Sequence, residues 1–449
     1  MAKLLLGIEA PVQDTSPSEL FTQPDELHAS VRRLKQRLVE HPRDAIAGAE
    51  LARFYLLLGQ PTSALAAMER AVSNAPDNRF VLRSAAQLFA TTSEPQRGLD
   101  LLWRSDAVRS DPWVQAAEVA LADLVGRGPR YGSKKLASLL ATDAIGISYS
   151  ELSAGLASLE WKSGVKRSKV KKLLQKSIRS PTENALAQAV WLENESDISV
   201  STDNLIANNG SAYEARSRAN YEAGNYAGSS EAALHWLNDQ PFSLDAARDY
   251  VFVTSVHLSQ FSKSIEVAEA AARLHPRDFN LINGLLYSLV MDGRHQRARE
   301  ARVKLRQIRS SGDQLPFLHA ADGLLAFSDG NIEEGRQCYL RAMTSAREVK
   351  RPNLVINAGI YWLEQETLSG SMGKADILEN IGDLDKAIAE SAKNVSVDAS
   401  PTWKSKRQHI LDLLYKRESK VTRQIEIGDG KKVSYTISAK HLTAAMRDK

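Results

Sequence analysis

The chain of 449 residues has a single cysteine, Cys338, and only 6% of its residues are aromatic. One thiol excludes an intramolecular disulfide framework and a cysteine-based zinc site, and points to a reducing, cytoplasmic setting. No window approaches the roughly 20 apolar residues that a membrane span needs, so no membrane insertion is expected. In "MAKLLLGIEAPVQD" Glu9 and Pro11 interrupt the apolar run too early for a secretory leader, and none is read there. Chemistry-bearing motifs are equally scarce. The nine histidines form no His-Glu-x-x-His pair, and there is neither a Walker-type glycine loop nor a Gly-x-Ser-x-Gly elbow. No enzyme, cofactor or metal is therefore expected. His41 and His275, each before a proline, read as surface residues closing helices. Cys338 reads as a small buried thiol, and "SGSMGK" at 369–374 as a flexible linker.

Hydrophobic residues at 43% and charged residues at 25% are those of a folded chain, and the length exceeds one compact core. The organisation shows in "GQPTSALAAMERAVSNAPDN", residues 59–78. Apolar or small residues at 51, 52 and 55, then at 64, 65, 68, 71 and 72, lay one stripe on each of two short helices. Gly59 and Pro61 break the pattern at a turn, small Ala64 and Ala71 permit close approach, and Pro76 closes the second helix. The interval of 17 from Gly59 to Pro76 recurs from Gly224 to Pro241 and from Ser259 to Pro276. Gly293 and Gly330 mark two further hairpins. Residues 79–112 keep the apolar positions without the turn glycine, a degenerate unit. Residues 150–181 carry Trp161, Gly164 and Pro181, but Lys169 and Lys176 stand where small residues belong, which puts the register in question by one residue.

These hairpins resemble the tetratricopeptide repeat, a unit of about 34 residues. The resemblance implies an all-α fold, a right-handed superhelical solenoid, over about residues 25–395, divided here into 25–210 and 211–395. Residues 1–24 read as a linker arm. Residues 396–449 read as a basic helix followed by a β-hairpin, in which Ile425, Ile427, Val433, Tyr435 and Ile437 alternate around Gly428-Asp429-Gly430. It further implies a groove lined by the first helix of each hairpin. The side chains so placed are Arg53, Arg218, Tyr221, Asn280, Asn283 and Tyr287, which depart from the Lys and Asn clamp of some family members.

The net charge of +4 conceals an uneven distribution. Between Leu124 and Thr182 twelve Lys or Arg face three acids, and from Trp403 onward twelve face five. A helix through "WKSGVKRSKVKKLLQKSIRSP" would set Val170, Leu173, Leu174 and Ile178 on one stripe and Lys169, Lys172, Lys176 and Arg179 on another, with Lys162, Lys166 and Arg167 leading in. Such a face suits phosphates or an acidic partner. The reading is a cytoplasmic, non-enzymatic scaffold or adaptor that binds partner proteins. The alternatives are a nucleic-acid-associated factor using residues 162–179 and 404–432, and a peptide-responsive regulator.

Overall fold

The computed structural model describes residues 24–132, 136, 140, 146–196, 198–308, 312–394, 400–418, 420–427 and 431–438. The arm at 1–23 and the Gly-Asp-Gly loop lie outside these residues. Helices start where the sequence supplies a cap. Asp44, Asn78, Asp111, Thr182 and Ser243 each accept a backbone N–H two or three residues on, and Pro61, Pro95 and Pro112 occupy first turns.

The chain divides into two units, the first Met1–Thr254 with Lys263–Leu281, the second Ser255–Ser262 with Ile282–Lys449. Residue 210, read above as a boundary, falls inside the first. Its helices are α1 (Pro24–Glu40), α2 (Ala45–Leu57), α3 (Pro61–Asn74), α4 (Arg79–Thr91), α5 (Pro95–Arg104), α6 (Ala107–Ser110), α7 (Pro112–Leu124), α8 (Ser150–Lys162), α9 (Arg167–Ser177), α10 (Glu183–Glu195), α11 (Asp203–Asn208), α12 (Tyr213–Glu222), α13 (Tyr226–Asp239), α14 (Leu244–Phe252) and most of α15 (Phe261–Leu274). A π-helical stretch, Val253–His257, prolongs α14.

The turn inside each hairpin is left-handed, at Gly59 (φ 70°), Gly164 (φ 70°) and Gly224 (φ 73°) in this unit. Where glycine is missing, serine takes the same conformation, Ser93 with φ 62° and Ser259 with φ 53°. A side chain there costs about 1–2 kcal/mol, offset in part by the greater freedom of glycine when unfolded. Exposed Ser93→Gly is therefore expected to raise the melting temperature, by up to about 1 kcal/mol in stability; a lower melting temperature would contradict the turn assignment.

Ala64, Met68, Ala71 and Phe89 of the first two hairpins are buried in one apolar cluster. In the basic hairpin α9 begins three residues after Gly164, whereas α3 begins two after Gly59. That single residue moves Val170 and Ser177 into the buried small positions and turns Lys169 and Lys176 aside. The end of the unit returns to its beginning. Phe242 joins the cluster of α2 and α3, the Arg53 guanidinium lies 5.7 Å from its ring, and a Cβ on Gly59 would come within 3.2 Å of the Arg273 carbonyl.

The second unit holds most of α16 (Phe279–Met291), then α17 (His295–Gln307), α18 (Leu315–Ser328), α19 (Ile332–Glu348), α20 (Pro352–Ser369), α21 (Lys374–Asn394) and α22 (Ser400–Glu418). Tyr339 of α19 seats on Gly323 of α18, and Phe327 of α18 on Gly335 of α19. Cys338 is buried. The segment at 369–374 is an ordered turn rather than a linker: Gly370 is left-handed, and Ser371 donates to Glu366, which also accepts from Arg336 and Trp362. Isoleucines 356, 360, 377, 381 and 410 with Trp403 and Leu414 join α20, α21 and α22 in one core. Finally β1 (Lys420–Ile427) and β2 (Lys431–Ser438) pair antiparallel, Val421 opposite Ile437.

Candidate protein-binding surface

The helical period places Glu214, Arg218 and Tyr221 on one stripe of α12, at i, i+4 and i+7. Asp245, Asp249 and Phe252 hold the same spacing on α14, and each lies 31 residues beyond its counterpart. Buried Ala215 and Ser217 on α12, and Ala246, Ala247, Tyr250 and Val251 on α14, fix the opposite sides of both helices in the core. The two stripes stand side by side, with the Tyr221 and Phe252 ring centroids 6.2 Å apart and Tyr226 at 5.8 Å from Tyr221. Carboxylates occupy one end of this wall and aromatic rings the other.

Charge on the wall is unbalanced. Arg218 pairs with Glu214 at 3.0 Å, and its Nε is buried with no hydrogen-bond acceptor among the described residues. Arg248 is drawn away to Asp278, to which it donates from both Nε and Nη2, while it touches Asp245 only at 3.3 Å. Burial raises the Glu214 carboxyl to about 6, Asp245 adding to the rise and Arg218 opposing it. Burial and the neighbouring Asp245 bring Asp249 to about 6 as well. Asp245 is 65% exposed and Phe252 39%.

The other residues expected in a groove separate. Arg53 pairs with Glu50 at 3.0 Å and lies against Phe242, inside the contact that closes the first unit. Asn280 is exposed and Asn283 half-buried. Tyr287 is a correction: it is buried, and its hydroxyl donates to Glu364 at 3.0 Å. Lys406 of α22 reaches the same point, 2.6 Å from Glu364, with both side chains wholly buried, and its Nζ also contacts the Tyr287 hydroxyl. It lies 4.9 Å from the Tyr287 ring and 5.4 Å from that of Tyr361. Burial foremost, and then the charge of Glu364, hold the Tyr287 hydroxyl well above its ordinary range, and burial with Lys406 nearby depresses His257 to about 4. Tyr287, Glu364 and Lys406 are buried and satisfy one another. His275 is likewise corrected: it is half-buried, its Nε2 3.2 Å from the Phe242 carbonyl.

The basic helix is partly consumed by its own hairpin and its neighbours. Lys162 pairs with Asp123 at 2.5 Å, Lys169 with Glu160 at 2.9 Å, and Lys176 donates to the Leu140 carbonyl. Lys166, Arg167, Lys172 and Arg179 remain exposed. Among the described residues no group of three His, Cys, Asp or Glu side chains is placed to hold a metal, and no helix is long and apolar enough to cross a membrane.

Sequence reading found Arg218 and Tyr221 but not the matching row on α14. The greater length of helix before the second turn explains the omission. Counting from the turns, Gly224 and Ser259, gives an offset of 35 residues and sets Tyr221 against Val256. The helix wall obeys an offset of 31: Tyr221 stands three residues before its turn and Phe252 seven before its own, the added length being about one further helical turn that includes the π-helical stretch.

Stacked helical hairpins with left-handed turns define the class: this is a helical-repeat protein. Residues 49–78 match the model of the tetratricopeptide repeat family, and the α2–α3 hairpin is such a repeat. Among curated proteins none matches the chain. Solved structures aligned to it include yeast Tom70, at 12% identity over 90% of this chain and 95% of that one, with a TM-score of 0.33. Human IFIT1, a dimer with PPP-AAAA, aligns at 14% identity over 88% and 95%, with a TM-score of 0.39. A tetratricopeptide repeat protein from Parabacteroides merdae aligns at 12% identity over 70% and 98%, with a TM-score of 0.27. Similarity this loose transfers no ligand or partner.

Proposed function

We propose that this protein is a scaffold or adaptor that holds a partner protein on the wall formed by α12 and α14. One observation carries the reading: two successive first helices repeat the same pattern of charged and aromatic side chains, ending in an exposed Phe252 beside Tyr221. Aromatic side chains at such positions contribute most of the energy in protein interfaces. The exposed Lys166, Arg167, Lys172 and Arg179 support a second reading, contact with nucleic-acid phosphates.

Affinity capture of the tagged full-length protein from its host, with and without nuclease, separates the two. A stoichiometric protein companion that survives nuclease and is lost with Tyr221→Ala/Phe252→Ala is the expected result. Companions that vanish with nuclease would replace the adaptor reading with the nucleic-acid one.

A further inference from the structure

The adaptor reading leaves the chemistry of the partner open, and the wall narrows it. A receptor for acidic peptides needs guanidinium or ammonium groups turned toward the ligand. Here the arginines are engaged from within: Arg218 lies on Glu214, and Arg248 forks onto Asp278. What the wall turns outward is the largely exposed Asp245 carboxylate, with those of Asp249 and Glu214 half-buried behind it. With Asp278, to which Arg248 is committed, four carboxylates face the two guanidiniums of Arg218 and Arg248. Beside them Tyr221 and Phe252 pack ring against ring, and the exposed part of Phe252 adds an apolar contact surface next to the acids.

We infer, resting on the adaptor reading, that the α12–α14 wall receives a basic segment of a partner protein, its Lys or Arg side chains set against Asp245, Asp249 and Glu214 and an apolar residue against Tyr221 and Phe252. An ammonium or guanidinium placed there would relieve repulsion among carboxylates that burial already disfavours, and the gain grows because these sites are only partly hydrated.

The occupation should depend on pH, with a defined sign. Glu214 and Asp249 both titrate at about 6, above the ordinary carboxylate range. Above that value they are ionised and attract the basic segment; below it they are neutral and the attraction fades. The contribution of these two carboxyls to the stability of the unliganded protein runs in the opposite sense, growing as the pH falls through 6, because protonation removes charge that burial disfavours.

The experiment pans the full-length protein against a random dodecamer display library at pH 7.5, with Tyr221→Ala/Phe252→Ala as the counter-selecting bait. Wall-dependent sequences should be enriched in Lys or Arg next to aliphatic residues. A synthetic peptide from that set should bind Asp245→Asn/Asp249→Asn about tenfold more weakly than the unaltered protein, and the unaltered protein about tenfold more weakly at pH 5 than at pH 7.5. If the aromatic double variant does not fold, the Asp-to-Asn variant serves as the bait. Wall-dependent sequences rich in Asp or Glu would overturn the inference while leaving the adaptor reading intact. So would a basic peptide indifferent to both the Asn variant and pH. Absence of any wall-dependent sequence overturns it too, and the host capture then decides the adaptor reading separately.

Discussion

Lys406→Ala is expected to lower the stability of the second unit by about 3–5 kcal/mol, the largest effect of any single truncation we anticipate. The reason lies in what the change leaves behind. Glu364 is wholly buried, and its carboxylate is held by the Lys406 ammonium at 2.6 Å and by the Tyr287 hydroxyl at 3.0 Å. Removing the lysine strands that charge among Tyr287, Tyr361 and the apolar side chains of α20 and α22, with only His409, 3.7 Å away, to approach it. Hydrogen exchange read by mass spectrometry should show α20 and α22 losing protection first, with the first unit unchanged.

The pair itself is a weak net stabiliser, since desolvating two charges offsets most of their attraction. Lys406→Met combined with Glu364→Gln should accordingly recover most of the loss, the amide oxygen still accepting from Tyr287. A single variant that loses less than about 1 kcal/mol would show that Lys406 is not buried on Glu364.

The second large effect is a glycine whose substitution should run against propensity. In an exposed helix interior Gly→Ala stabilises by about 1 kcal/mol. Gly382, within α21, has open space around its Cβ position, so Gly382→Ala should follow that rule. Gly323 in α18 should do the reverse. A Cβ there would lie 2.8 Å from the Tyr339 ring and 3.2 Å from the Gly335 carbonyl oxygen. Tyr339 is fully buried and its ring cannot swing away without opening the core. Overpacking of this kind costs about 1–3 kcal/mol and outweighs the propensity gain. Thermal unfolding of the two variants side by side should move in opposite directions; a stabilised Gly323→Ala would refute the close approach of α18 and α19.

Much of the local architecture was legible in the residues. The turn positions were read from the interval between Gly59 and Pro76, and Ser259 was placed at a turn although it is not glycine. Its left-handed backbone follows from the hairpin geometry, which imposes φ whatever the residue. The register question raised by Lys169 and Lys176 had a single physical answer, a helix starting one residue later. The α12–α14 wall was half legible: Arg218 and Tyr221 stand out in the sequence, but an extra length of helix before Ser259, including the π-helical stretch, hides Asp249 and Phe252 from any alignment made on the turns.

Lys406 shows where local reading ends. It falls on the same stripe as Trp403, Ile410 and Leu414, yet a lysine in a tail with twelve basic residues reads as solvated. Sequence by itself determined the hairpins, because their caps, turns and stripes act over fewer than about 40 residues. Only the tertiary structure decided which charges meet. Tyr287, Glu364 and Lys406 lie 77 and 42 residues apart along the chain, and the Phe242 ring that confines Arg53 is more distant still. Burial and pairing at such separations depend on how hairpins stack, and stacking sets whether an arginine, a tyrosine or a lysine faces a partner or the core.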